Sequence, residues 1–279
     1  MKYIIYILLF FPIWVTAQTY KYIGIENGLS NRRIFNIQKD TQGYMWFLTN
    51  EGMDRYNGKD IKHYKLNKEA STLDAPVRLG WLYTGPQIGI WVIGKQGRVF
   101  RYEANEDDFR MVYKLPDISE TISCGYLDRN NNIWLCCKDS ILLYNINDAH
   151  ILQFSNILHS NITAIEQIDE QHFFIATELG VRYVKLENGI LETIPVKTLD
   201  YFHAQVSELY FHKQLKRLFI GSFERGVFVY DMNTQEIMRP EADLSDVNIA
   251  RISPLNETEL LIATEGCLLY TSDAADDGE

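Results

Sequence analysis

The chain is poor in the side chains from which most catalytic and cofactor sites are built. Four cysteines occur in 279 residues. No histidine stands at ligand spacing from Cys124, Cys136 or Cys137, which removes a zinc pattern and gives no support to a cysteine nucleophile. The histidines, His63, His150, His159, His172, His203 and His212, are scattered and read as surface or loop imidazoles. Phosphate loops are missing too, because Gly85-Pro86-Gln87-Ile88-Gly89 lacks the Lys-Ser/Thr pair and a following helix. No cofactor or metal is implied. Positive charge is thin: 27 Lys and Arg face 37 Asp and Glu, the net charge is −10, and no Lys/Arg run exceeds two residues. Phosphate binding depends on clustered cations, so nucleic acid and anionic membrane are poor partners. Apolar runs are short as well. The longest, Ile4 to Val15 with Pro12 inside it, falls below the ~18–20 residues that a membrane span requires.

That run follows Lys2 and precedes Val15-Thr16-Ala17, the pattern of a signal peptide with a small-residue cleavage site. Residues 1–17 are expected to be removed, leaving Gln18 at the start of an exported chain. No cysteine follows the run to carry a lipid. With 46% hydrophobic and 13% aromatic residues, the remainder can bury a core of domain size.

What the chain has in quantity is repetition. From Gly28 to Gly58 the sequence reads as three short strands and three turns: alternation over Ile34–Lys39, turn chemistry at Asp40–Gly43, an apolar Met45–Leu48, and a second turn at Glu51-Gly52 before Met53–Tyr56. The apolar segment recurs at Trp46, Trp91, Trp134, Phe174, Phe219 and Leu261, and blocks then reach a tyrosine at 56, 102, 144, 183 and 230. A period of about 40–45 residues, with lengths varying at turns, is that of radially packed four-stranded sheets. The fold class is therefore an all-β propeller over residues 18–266, about five and a half blades of an expected seven, with an open ring.

Residues 267–279 are expected to lie outside it. Cys267 to Asp277 looks like a translated transposon-end sequencing adapter, although Tyr270 falls near the repeat's tyrosine position. Within the third block, a hairpin turning around Arg129–Asn131 sets Cys124 opposite Cys136 and turns Cys137 to the other face. Both a cross-strand disulfide and buried free thiols suit that register.

The most specific segments are Gly28-Leu29-Ser30-Asn31, Asp40-Thr41-Gln42-Gly43-Tyr44-Met45-Trp46-Phe47 and Thr49-Asn50-Glu51-Gly52-Met53-Asp54-Arg55-Tyr56-Asn57-Gly58. They resemble the propeller repeats of two-component regulators, in particular the N-terminal periplasmic region of Bacteroidetes-type hybrid two-component sensors. The second block lacks the Asp-x-x-Gly turn, and Leu48 stands where the pattern usually has Gly. The resemblance implies a receptor anchored in the inner membrane through a downstream segment. It also implies a second propeller, an immunoglobulin-like connector, histidine kinase and receiver modules and an AraC-type DNA-binding end. Glycan breakdown products would bind outside, and a homodimer would carry the signal to polysaccharide-utilisation genes. None of the kinase residues is in this chain.

In a propeller the residues just before each first strand converge near the central channel. Here they are Asn31 and Arg32, Arg78, Thr121, Asn161, Gln205 and Asn248. Amides and guanidiniums suit hydroxyl-rich or carboxylated sugars, and Trp81 offers a stacking face. The candidate ligand-binding set is thus Arg32, Arg78, Trp81, Asn161, Gln205 and Asn248, against the alternative that these groups solvate the channel or bond nearby backbone. Asp40 and Asp128 read as turn caps, and Glu51, Glu178, Glu224 and Glu265 as recurring turn residues, so no catalytic pair is assigned. A secreted hydrolase or lyase and a purely structural dimerisation propeller remain the other readings.

Overall fold

Short apolar segments separated by Gly, Asn and Asp turns form antiparallel strands throughout. A computed structural model describes residues 21–66, 79–116, 121–240, 244, 247–256, 259–265 and 269–273. Arg78, Cys267 and the leader 1–17 lie outside the described residues. Sheet one comprises Ile34–Lys39, Met45–Thr49, Gly52–Tyr56 and Ile61–Tyr64. Sheet two comprises Leu79–Gly85, Gly89–Gly94, Arg98–Glu103 and Asp108–Lys114. Cys124–Leu127, Asn132–Cys136, Ser140–Asn145 and Ile151–Ser155 form sheet three. Ile162–Gln167, His172–Thr177, Gly180–Glu187 and Ile190–Ile194 form sheet four. Sheet five is Val206–His212, Arg217–Ser222, Val227–Asp231 and Glu236–Met238, and sheet six is Ile249–Pro254, Glu259–Thr264 and Leu269–Asp273. Every sheet is a meander in chain order.

The first strands of successive sheets pack against one another, from sheet one through to sheet six. This is the radial arrangement of a β-propeller, with first strands innermost. The repeated aromatic of each second strand reaches into the next sheet. Trp46 meets Tyr102 and Phe109 at 5.0 and 5.7 Å between ring centroids, Trp134 meets Phe173 at 4.9 Å, and Phe174 meets Tyr230 at 6.0 Å. Trp46 and Trp134 have no exposed surface and Trp91 has 2%. Burying such a ring contributes roughly 2–3 kcal/mol, and each ring needs the neighbouring sheet to be buried at all. Leu261, the sixth of the series, is only half-buried, and no described residue forms a sheet beyond it. On sheet one the opposite face leaves Phe35 and Ile37 37% and 49% exposed.

Five first strands carry a bulge near their start, between Ile34 and Asn36, Leu79 and Trp81, Ile162 and Ala164, Val206 and Glu208, and Ile249 and Arg251. A bulge adds one unpaired residue and increases the local twist, which helps a strand turn along the inner wall. Gly52 and Gly180 open their third strands at φ 137° and 143°, where a Cβ would lie 2.3 and 2.2 Å from the carbonyl oxygens of Tyr64 and Phe202. Only glycine fits that close approach.

The register corrects the tyrosine series. Tyr56, Tyr144 and Tyr230 pair with the residue before the repeated aromatic, namely Met45, Ile133 and Leu218. In sheet four Phe173 pairs with Val184 instead, and Tyr183 pairs with Phe174 itself. The turn itself is the same, Gly180 pairing with Thr177 as Gly52 pairs with Thr49, but Tyr56 follows its glycine by four residues and Tyr183 by three, so the Tyr183 ring lies on the other face, stacked on His172 at 5.6 Å. Tyr270 pairs with Ile262, which is two positions earlier than the repeat requires. Leu269–Asp273 nonetheless fills the third-strand place of sheet six. The cysteine register is as read: Cys136 pairs with Cys124, both thiols are free and buried, and Cys137 faces a different cluster.

Candidate functional site

The turn joining first to second strand is where the motif residues act. Asp40 Oδ1 accepts hydrogen bonds from the Gln42 and Tyr44 amides, and its Oδ2 accepts one from Trp46 Nε1 at 2.7 Å. Asp128 repeats this with the Asn130 and Asn132 amides and with Trp134 Nε1 at 2.9 Å. The carboxylate thus shapes the turn and satisfies a buried indole, a structural task. Sheet two has no aspartate there, and the Ile88 carbonyl takes the Trp91 indole N–H at 2.6 Å. His212 holds the corresponding turn in sheet five and is buried, unlike the surface imidazole expected.

The candidate channel residues are placed as follows. Arg32 and Gln205 are exposed. Asn161 donates to Glu178 and Asn248 donates to Glu265, the same contact seventeen residues apart in two repeats, and Asn248 Oδ1 also accepts the Glu224 amide. Trp81 is half-buried, and its ring occupies the space above Gly125 of sheet three, where a Cβ would come within 2.8 Å. The structure therefore gives Asn161, Asn248 and Trp81 contacts within or between blades.

Two clusters went unread in the sequence. The first lies where the inner strands of sheets four, five and six meet. Glu166 accepts the Phe211 amide of the next sheet at 3.2 Å, and Glu208 lies 3.5 Å from Arg251 Nη1 of sheet six. Burial pushes both carboxyls up to about 7, with Arg251 opposing the rise at each. Both glutamates are tuned by groups on other sheets, Glu208 by Arg251 of the next one and Glu166 by the Phe211 amide of the next and Arg251 of the one beyond.

The second cluster joins sheets one and two. Asp107, at φ 48° in a turn of sheet two, accepts hydrogen bonds from Lys62, Tyr102, Tyr64 and Arg55. The Lys62 and tyrosine hydrogen bonds hold its carboxyl well below the usual range. Arg55 sits among the rings of Tyr44, Trp46, Tyr64 and Tyr102, at 4.9 to 6.0 Å from their centroids. A cleft of about 160 Å³ opens beside it, lined among others by Gln42, Tyr44, Arg55 and Tyr102. Cation, aromatic faces and amide together can bind a polar ring. Among the described residues no group of His, Cys, Asp and Glu is arranged to hold a metal, and no helix is long and apolar enough to cross a membrane.

The sheet order and packing define a β-propeller. Residues 28–51 match the family described as two component regulator propeller. Among solved structures, the extracellular domain of BT3049 from B. thetaiotaomicron, described as a hybrid two component system, superposes with a TM-score of 0.71 at 21% identity over 91% of this chain. The corresponding domain of BT4673 gives 0.65 at 17% identity over 92%. YCF48 from Cyanidioschyzon merolae gives 0.66 at 11% identity over 84% of this chain and 80% of its own. The chain spans only 35% and 33% of the lengths of the BT3049 and BT4673 domains. No curated protein matches in sequence. The likeness to proteins as different as BT3049 and YCF48 is one of fold.

Proposed function

We propose that the chain is the sensory, periplasmic part of a hybrid two-component receptor that responds to glycan breakdown products and signals to polysaccharide-utilisation genes. The observation that carries this reading is the regulator-propeller repeat at residues 28–51, set in a fold shared with the extracellular domains of BT3049 and BT4673. The complete receptor would supply the membrane anchor and kinase activity, and an oligosaccharide would act by binding one arrangement of a homodimer better than another. The test is calorimetric titration of the intact extracellular region with a panel of oligosaccharides, alongside Gln205→Ala and Arg32→Ala. At least one oligosaccharide should bind. Heat from none of them, with the region folded, would overturn the reading, and unchanged affinity in both variants would remove the channel residues from it.

Glu166 and Glu208 give the hydrolase reading its one observation. A glycosidase, however, needs one carboxyl protonated while the other is ionised, which means environments that push their pKa values apart. Both are raised to about 7. New reducing ends after incubation with the same oligosaccharides, lost in Glu166→Gln, would favour the enzyme.

A further inference from the structure

We propose that the cleft between sheets one and two binds a single acidic sugar unit, its carboxylate on Arg55 and its ring against Tyr44 and Tyr102. The assignment rests on the saccharide-sensing reading and names a ligand class and a place for it.

The argument begins with the two edges of one guanidinium. Both hydrogen bonds that Arg55 makes to side chains, to Tyr102 Oη at 2.8 Å and to Asp107 Oδ1 at 2.9 Å, come from Nη1. The Nε and Nη2 edge donates to no described residue, while the side chain is 19% exposed and lines the cleft. That edge offers two parallel N–H groups, the fork that fits a carboxylate. The guanidinium cannot swing away to find another partner. Asp107 fixes it from one side, and the rings of Tyr44, Trp46, Tyr64 and Tyr102 surround it. A donor pair held in place before the ligand arrives loses little entropy on binding.

Geometry favours an acid over a neutral ring, because the charges around the cleft cancel. Asp107 is met by two cations, Arg55 and Lys62, and Asp40 on the cleft wall already accepts three N–H bonds. Arg55 and Lys62 balance Asp107 and Asp40, so the preference for an acid comes from the fork, whose two parallel N–H groups meet two carboxylate oxygens. The cleft is small, about 160 Å³, and open to solvent on one side. Tyr44 and Tyr102 give the ring its apolar faces, and Gln42 adds an amide for hydroxyls. The cleft opens beside the Asp40 turn, at the opposite end of the sheets from Asn161, Gln205 and Asn248, which precede the first strands.

The experiment is calorimetric titration of the full chain with glucuronic and galacturonic acids, and with glucose and galactose as neutral counterparts. Either acid should bind at least tenfold more tightly than its neutral counterpart. Tyr44→Ala should weaken the acid at least tenfold, Arg55→Lys should do the same while keeping the charge beside Asp107, and Lys138→Ala, at an exposed side chain in a turn of sheet three, should leave it unchanged. Should Arg55→Lys fail to fold, Tyr44→Ala and protection of Arg55 from phenylglyoxal by the acid decide the matter. Equal affinity for acid and neutral sugar, acid binding undiminished in Tyr44→Ala, or no heat at millimolar acid would overturn the proposal. Binding of neutral oligosaccharides to the intact extracellular region with no acid binding here would sink this cleft alone and leave the sensory reading standing.

Discussion

Glu166 shows how a propeller perturbs a single residue. It is carried on the innermost strand of sheet four, yet its hydrogen-bond donor is an amide of sheet five, and its charge is opposed by burial between them. A carboxyl whose folded pKa is raised from the usual carboxylate range to about 7 binds more protons folded than unfolded over that interval. It therefore penalises the native state increasingly as pH rises from about 4.5 to 7, and fully above that. Glu166→Gln keeps an oxygen for the Phe211 amide and removes the charge. At pH 8 the variant should be more stable than the parent by about 1–3 kcal/mol, and at pH 4.5 the gap should close. Urea melts at the two pH values check this, and a gap independent of pH would remove burial of the charge as its cause. The sequence could not show it, because Glu166 sits in an ordinary strand alternation and its partners arrive 42 to 85 residues later. The pairing of Arg55 with Asp107 is hidden for the same reason: 52 residues separate them, and although Arg55 stands in the repeat segment Thr49–Gly58, nothing in that segment points to Asp107. Asp40 and Asp128 were legible as turn caps, since both bond amides two and four residues on.

At the scale of the element, the turn from first to second strand combines the aspartate with the indole six residues later. Removing Asp128 would orphan two amides and the N–H of Trp134, whose ring is wholly buried. The matching turn of sheet four holds Asp169, which bonds the Gln171 and His172 amides and, at the surface, the His172 ring, but Phe174 at the aromatic position has no buried N–H to satisfy. Asp128→Ala should therefore cost about 2–4 kcal/mol and Asp169→Ala about half as much. Denaturation midpoints of the two variants compare them directly, and equal losses would mean the indole bond adds nothing. The period of the sheets was readable because second-strand aromatics are irreplaceable in the core. The face taken by each third-strand tyrosine was not, because only the pairing of the turn, Thr49 with Gly52 and Thr177 with Gly180 alike, shows that Tyr183 stands one position short of the place Tyr56 holds.

For the whole molecule, stability is a chain of neighbour interactions between sheets. Each buried face belongs to two of them: Trp46 to sheets one and two, Trp134 to three and four, Phe174 to four and five. Sheets one and six each lean on a single neighbour among the described residues, sheets two and five, and sheet six has only three strands where sheet one has four. A repeat with one neighbour has half the interface of an internal one. Loss of order should begin at sheet six.

The tryptophans make that testable without a label. Trp46, Trp81, Trp91 and Trp134 all lie in sheets one to three, Trp14 lies outside the described residues, and sheets four to six have none. Intrinsic fluorescence is consequently blind to half of the blades, while far-ultraviolet circular dichroism sees them all. In a urea titration the ellipticity should begin to fall before the emission maximum moves to the red, and coincident curves would mean that the arc melts as one body.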